Sequence, residues 1–499
     1  PEPQPTVEPE PETIAKTDAD YLQENPTRAL LRIRAAQQPD TILRPWQKDS
    51  VKSMEVMGTY LGDGRVLTAG QVAKDATYIE LSLPDGSKTA PAQIISYDPD
   101  INLAIIGVSH EKDQSIFEDR LALPLGEALR LGDKAEYWGV ISGKDPLRIP
   151  ISVKSGDTVD MMPRLMLQSP QSILKDESFG YPIVSEGKLV GLSSGFNAEQ
   201  QTFSAINGEL IARFLKREAQ QAHSVPVLGI SITPVDDPVM SRYLQLDEGE
   251  SGVYLSEVSP LSAAQSAGLQ PGDVILAVKD YKIDNQGQVQ HPLYGRISVH
   301  ALLRSLLPLG ESLSLHIKRK GEEMDISVPL NRDAAEKAPI PSLKVKEQVR
   351  YIIHGGLLFQ PLSTNYLDAL KAAANGTLPE EFLTLKARSQ ELIDKGYQEL
   401  SALSLVIPSP AVLGYESLAY CLVEQVNGKA VTSFDQLAQL LDEPTSNGIT
   451  SISINKPPYT IYLKQADAQQ SNDLIRRKAI PQLRQLNRNS TKDCNSAQQ

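Results

Sequence analysis

The sequence predicts a mainly β chain, with a pair of barrels followed by two smaller related modules. Three observations predict it. Apolar runs of strand length recur through the first 220 residues with turn signals at roughly eight- to twelve-residue spacing, and few helical stretches interrupt them. Gly229-Ile-Ser-Ile-Thr-Pro234 has a counterpart in Gly356-Leu-Leu-Phe-Gln-Pro361, and VILAVKDYKI has one in CLVEQVNGKAV, so a later unit repeats an earlier one at low identity. At 499 residues the chain exceeds one core, and ordinary domain size makes it three globular units plus tails.

Composition narrows the function classes. Hydrophobic residues make up 40% and charged residues 22%, as in soluble globular proteins. With a net charge of -13, nucleic-acid binding would need a concentrated basic face, and none is visible before the C-terminal stretch. The two cysteines, Cys421 in an apolar run and Cys494 in a polar tail, make no disulfide framework and have no metal-ligand neighbours, so neither metal nor cofactor is expected. No apolar run reaches the roughly 18 residues of a membrane helix. The chain opens on PEPQPTVEPEPE without an initiator Met, as expected of a mature product whose export signal or membrane tether has been removed.

Taken in order, residues 1–25 are a Pro/Glu-rich tail with little to bury, expected to be a disordered spacer. Residues 26–220 hold the barrel-type strands, among them RALLRIRA and MEVMGTYLGDGRVLTAG, whose Gly-Asp-Gly reads as a hairpin turn. ELIARFLKREAQQA closes this unit, with Leu210, Ile211, Phe214 and Leu215 at helical spacing. Residues 225–330 form a second unit: VLGISITPV, then SGVYLSEVSPLSAAQSAGLQPGDVILAV, a helix in ISVHALLRSL, and two edge-type strands, LSLHIKR and MDISVPL. A linker at 331–344 leads to the third unit, 345–466, which carries a polar, helix-prone insertion and the helix SFDQLAQLLD. Residues 467–499 read as a basic helical tail.

Three frames stand in order in the first unit: Thr68-Ala69-Gly70-Gln71-Val72, Asp98-Pro99-Asp100-Ile101-Asn102-Leu103-Ala104, and Asp176-Glu177-Ser178-Phe179-Gly180-Tyr181-Pro182-Ile183-Val184 followed by SEGKLVGLSSGF. With the SP-x-SAA-x-x-AGL-x-PGDVIL segment of the second unit, they make residues 28–466 resemble the HtrA (Deg) family, a trypsin-like domain followed by PDZ domains. The resemblance implies a trypsin-like double β-barrel and two PDZ domains, the second divergent. It also locates the parts of serine proteolysis, which needs a hydroxyl nucleophile, an imidazole base and a buried carboxylate. In the family the base follows Thr-x-x; here that slot holds Gln71. The carboxylate slot holds Asn102, the nucleophile slot Phe179, and the glycine of the oxyanion hole is replaced by Glu177. Ser178 lies one position early, and the only histidine in the barrel unit, His110, lies outside the motif that places the base.

The expectation is therefore a pseudoprotease, with no catalytic residue active. A PDZ domain adds a peptide to a sheet edge and holds its terminal carboxylate on backbone N–H groups. The resemblance assigns that work in the first module to Val227, Leu228, Gly229 and Ile230, with Ser231 and Ile232 entering the receiving strand, and Val299, Leu302 and Leu303 lining the pocket. In the second module the matching loop is Gly355, Gly356 and Leu357, after His354. The expected partners are polypeptides or protein C-termini, bound as chaperone, adaptor or assembly scaffold in a bacterial periplasm or cell envelope, by a homo-oligomer such as a trimer. Two alternatives stay open: an active serine endopeptidase with a rearranged site, and a structural subunit of a larger envelope complex.

Overall fold

A computed structural model describes residues 17–141, 145–159, 161–169, 179–197, 202–216, 225–305, 309–332, 337–343, 347–385, 388–478 and 480–487. Six strands close the first barrel: β1 (Leu30–Gln37), β2 (Lys52–Gly62), β3 (Arg65–Ala69), β4 (Ala76–Ser82), β5 (Thr89–Asp98) and β6 (Leu103–Val108), in the order β1-β2-β3-β6-β5-β4. Gly62, Asp63 and Gly64 all have positive φ, which folds β2 back on β3 as a tight hairpin. The second barrel comprises β7 (Lys134–Ile141), β8 (Asp145–Val159), β9 (Met162–Gln168), β10 (Phe179–Ser185), β11 (Lys188–Asn197) and β12 (Thr202–Asn207), in the order β10-β11-β12-β9-β8-β7. Helix Gly208–Leu215, capped by Asn207, buries Leu210, Ile211 and Phe214 in the core shared by the barrels, and its spacing is the one the sequence predicts.

The first PDZ module contains β13 (Ile230–Pro234), β14 (Val253–Val258), β15 (Val274–Val278), β16 (Tyr281–Lys282), β17 (Gln288–His291), β18 (Gly295–Ser298), β19 (Ser312–Arg319) and β20 (Glu322–Pro329). The main sheet runs β13-β14-β15-β19-β20, so β13 and β20 are its edges. β19, read from sequence as an edge strand, lies between β15 and β20; its near-alternating burial reflects one covered face rather than an open side. The module does not hang free. Its apolar residues and those of the second barrel form one continuous cluster, and a Cβ on Gly156 of β8 would lie 2.1 Å from the Tyr294 carbonyl oxygen.

The second module contains β21 (Tyr351–His354), β22 (Leu357–Pro361), β23 (Ser401–Val406), β24 (Cys421–Val426), β25 (Lys429–Ala430), β26 (Ile449–Ile454), β27 (Thr460–Lys464) and β28 (Arg484–Gln485). Its sheet runs β27-β26-β24-β23-β22-β21-β28. The predicted insertion forms helices Thr364–Ala373, Glu380–Leu383 and Ser389–Asp394, whose Tyr366, Leu367, Leu370, Phe382 and Leu392 make a separate apolar cluster. Ile42 and Leu43, from the 38–51 segment between β1 and β2, pack onto that cluster. Gln360 Nε2 donates to the Ile42 carbonyl at 2.7 Å, and Trp46 meets Tyr351 with ring centroids 6.3 Å apart. The first barrel is thereby strapped to the last module. Among the described residues no helix is long and apolar enough to cross a membrane.

Candidate functional site: the seam between the barrels and two PDZ loops

The barrel topology brings the three positions that the sequence assigns as slots to one place. Ala69 at the end of β3 pairs with Leu103 at the start of β6, so the residues just beyond each are neighbours. The one-turn helix Gly70–Val72 carries Gln71, and the Gly70 N–H donates to the Asn102 carbonyl at 2.8 Å. A Cβ on Gly70 would lie 2.8 Å from the Asn102 carbonyl carbon, so this approach requires glycine. Asn102 has φ +62°, a left-handed conformation that asparagine tolerates better than most residues.

The third slot arrives from the second barrel. Gly180 has φ +80°, and a Cβ there would lie 2.0 Å from the Met57 carbonyl oxygen and 2.9 Å from Thr68 Oγ1, so β10 starts pressed against β2 and β3. Thr68 Oγ1 donates to the same Met57 carbonyl at 2.8 Å. Half-buried Phe179 packs its ring on the apolar cluster that includes Val72, Ala73 and Tyr97. The residue that the sequence comparison sets at the nucleophile position is thus an aromatic ring packed against a core.

Gln71 and Asn102 are carboxamides, and the buried Gln71 Nε2 has no acceptor among the described residues. The acids of the second frame are used structurally. Asp98 accepts the Asp100 N–H at 3.0 Å, and Asp100 accepts the Val225 N–H at 3.0 Å and lies 3.5 Å from Arg332 Nη1, fastening the barrel to the start and end of the first PDZ module. His110 is exposed beyond the far end of β6; six strand residues at about 3.3 Å each put it roughly 20 Å from Asn102. Glu177 and Ser178 lie outside the described residues.

The first PDZ loop offers donors. Gly229 has φ +74°, and a Cβ there would lie 2.3 Å from Ser262 Cβ. The loop's carbonyls are engaged: Leu228 accepts from the Ala264 N–H at 3.2 Å and Gly229 from the Ser259 N–H at 2.7 Å. The Leu228 and Gly229 N–H groups have no protein acceptor among the described residues, which leaves two donors side by side, as an anion-binding nest requires. The Val227 N–H donates to the Asn331 carbonyl at 2.9 Å and anchors the loop's base. Ile230, Ser231 and Ile232 lie on edge strand β13, with Ser231 exposed and the isoleucines half-buried. Val299, Leu302 and Leu303 are buried in the cluster shared with the second barrel.

The second loop is different. The Gly355 N–H donates to Asn472 Oδ1 at 2.7 Å, Ser409 Oγ donates to the Gly355 carbonyl at 2.6 Å, and the Gly356 carbonyl accepts from the Ile407 N–H at 2.7 Å. Leu357 is fully buried, and its strand β22 is paired on both sides, by β21 and β23. The strand that follows this loop, β22, is thus interior to its sheet. Asn472 sits on helix Gln465–Lys478, which buries Ala468, Ser471, Asn472 and Ile475. Sequence reasoning missed this helix's role; the one local signal is the spacing of those four residues along an otherwise polar stretch.

PDZ-domain family models match residues 226–330 and 340–485. Among curated relatives, "Protease Do-like 2, chloroplastic" of Arabidopsis thaliana is 25% identical over 414 residues, covering 81% of this chain and 66% of its own length. "Serine protease Do-like HtrA" of Bacillus subtilis is 24% identical over 292 residues, covering 54% of this chain and 61% of its own length. "Periplasmic serine endoprotease DegP" of Escherichia coli is 24% identical over 297 residues, covering 56% and 57%. This chain therefore spans about two thirds or less of the length of these three. A solved HtrA-type protease, AlgW with tripeptide, aligns at TM-score 0.46 and 17% identity over 63% of this chain and 97% of its own. The protein is a homologue of the HtrA/DegP serine proteases, a trypsin-like double barrel followed by two PDZ domains.

Proposed function

We propose that this chain is a pseudoprotease that holds polypeptide through its first PDZ domain and does not cut it. The observation that carries the reading is the half-buried ring of Phe179 packed against the first barrel's core, beside slots filled by Gln71 and Asn102. Acyl transfer requires a base to take the nucleophile's proton and donors aimed at the developing oxyanion. A carboxamide has no basic nitrogen at neutral pH, and the loss of one hole donor alone costs about 3–4 kcal/mol of transition-state stabilisation. The named relatives are proteases, so the reading rests on this chain's own slots.

The first module supports capture. Its loop pairs two unengaged N–H donors with an edge strand, the parts a chain end needs for its carboxylate and its backbone. The second module, with its loop and strand already bonded within the protein, is structural. The protein acts as a chaperone, adaptor or assembly scaffold of the cell envelope, assembling as a homo-oligomer; the relative named periplasmic DegP supports the compartment.

The test is direct. The purified chain is incubated with unfolded casein, and in parallel with a fluorophosphonate probe. Intact casein, no labelling and saturable retention of the casein are expected. Cleavage accompanied by labelling at Ser178 would overturn the proposal.

A further inference from the structure

An open groove of about 300 Å³ lies between the 38–51 segment of the first barrel and the last module. Pro45 and Trp46 line it from the barrel side, and Gln348, Tyr351 and Pro481 from the module. The Trp46 and Tyr351 rings meet with centroids 6.3 Å apart and planes 59° from parallel, so together they form an angled aromatic notch. Both sides of the notch are fixed. Trp46 packs on the cluster that holds Tyr351, Ile475, Ile480 and Leu483, and the Tyr351 hydroxyl donates to the Gln482 carbonyl at 2.8 Å. On the barrel side the Arg44 N–H donates to the Thr41 carbonyl at 3.0 Å and the Gln47 N–H to the Arg44 carbonyl at 2.8 Å, which folds the tip carrying Trp46 into consecutive tight turns.

Donors edge the notch. Half-buried Trp46 has no acceptor for its Nε1–H among the described residues. Gln485 Nε2 donates to Gln348 Oε1 at 2.7 Å, which orients the Gln348 carboxamide, and its Nε2 hydrogens have no acceptor among the described residues either. Angled aromatic faces with donors beside them match a backbone rich in carbonyls and poor in N–H groups. A proline-rich segment in the polyproline II form is such a backbone, because proline has no N–H and the carbonyls of this helix have no internal partner.

The chain carries such a segment in residues 1–12, PEPQPTVEPEPE, which lie outside the described residues. Charge favours the match. The segment holds Glu2, Glu8, Glu10 and Glu12. Arg44 beside Pro45, and Arg477 and Lys478 shortly before Pro481, are exposed and make no ion pair among the described residues. The acids of the 38–51 segment are engaged, Asp40 by Lys48 and Asp49 by the Ser50 N–H at 2.7 Å. Pro3 lies 14 residues before Thr17, a span of about 45 Å in this form and comparable with the roughly 40 Å width of a barrel pair of this size. We propose that residues 1–12 dock in this groove of their own chain as a polyproline II segment, with a proline seated in the Trp46–Tyr351 notch and the glutamates alongside Arg477 and Lys478.

Acrylamide quenching of tryptophan fluorescence tests it, because Trp138 is fully buried and Trp46 supplies the quenchable signal. In the parent chain Trp46 is expected to be protected. A full chain carrying Pro3→Ser, Pro5→Ser, Pro9→Ser and Pro11→Ser together is expected to lose that protection. The peptide PEPQPTVEPEPE is then titrated into this variant, amidated at its C-terminus so that it offers no terminal carboxylate to the first PDZ loop. It is expected to restore protection and to saturate below about 1 mM, and an analogue with alanine at every proline to bind about tenfold more weakly. Arg477→Glu with Lys478→Glu, both on exposed residues, is expected to weaken the peptide by about threefold or more. The proposal is overturned if parent and serine variant quench alike, if the proline-free analogue binds as well as the peptide, or if the parent's protection disappears on dilution, which would assign the groove to a segment from another copy.

Discussion

The Gly355 N–H donates to Asn472 Oδ1 at 2.7 Å, joining a glycine loop to a helix 117 residues further along the chain. In a carboxylate-binding loop such an N–H is aimed at the ligand; here a carboxamide oxygen of the same polypeptide receives it. Asn472→Leu leaves that buried donor unpaired and is expected to destabilise the second module by about 1–3 kcal/mol, measured by urea unfolding. It is not expected to create peptide binding, because β22 remains paired on both sides. A variant that gained affinity for chain ends would show the loop to be a working groove held shut.

Phe179→Ser places a hydroxyl at the position assigned to the nucleophile without supplying a base. Casein is expected to remain intact, while removal of a half-buried ring lowers stability by about 1–3 kcal/mol. Cleavage by this single variant would mean that a proton acceptor reaches the cleft from elsewhere in the chain.

At Gly229 any side chain meets Ser262 in a backbone conformation that costs L residues energy. Gly229→Ala is expected to lower affinity for peptides with free apolar C-termini by about tenfold or more, read by fluorescence anisotropy, with amidated peptides as the control. Unchanged affinity would place peptide capture somewhere other than this loop.

His354 is buried with neither ring nitrogen hydrogen-bonded among the described residues. Burial, assisted by Arg484 and opposed by Asp442, lowers its pKa to about 4. The folded state therefore resists a proton that the unfolded chain accepts below about pH 6.5. Stability is expected to fall as pH drops through the window from 6.5 to about 4 and to level off below it, with this one group contributing about 3 kcal/mol over the full span. His354→Phe removes that contribution, so the stability difference between variant and parent should widen between pH 7 and pH 5. Parallel curves would place the histidine in contact with water.

Much of this was legible because its signals are local. Gly62-Asp63-Gly64 announces a hairpin wherever it stands, and Leu210, Ile211 and Phe214 mark the buried face of their helix. The frames around positions 71, 102 and 179 stand out in the sequence through small and apolar residues that do packing work in the fold: Gly70 against Asn102, Gly180 against Met57. What could not be read depends on pairs distant in sequence. The strap has Ile42, Leu43 and Trp46 among mostly polar neighbours, with no period to reveal a burial site more than 300 residues away. β22 looks like a receiving strand until β21 and β28 are laid beside its open side, and two-residue β28 has no pattern of its own. Helix Gln465–Lys478 and β28 also carry the second PDZ match to residue 485, beyond the 466 at which hydrophobic patterning fades.

The bond from Ile42 to Gln360 turns a linear run of three units into a loop: barrel pair to first PDZ through a common core, first PDZ to second by the chain, and second PDZ back to the first barrel. A ring of this kind leaves little room for the swinging by which tethered modules search for a target. Under the proposed function, a chain end lodged beside Gly229 is held at a fixed bearing from the seam between the barrels, as a rigid jig holds a workpiece, in one orientation.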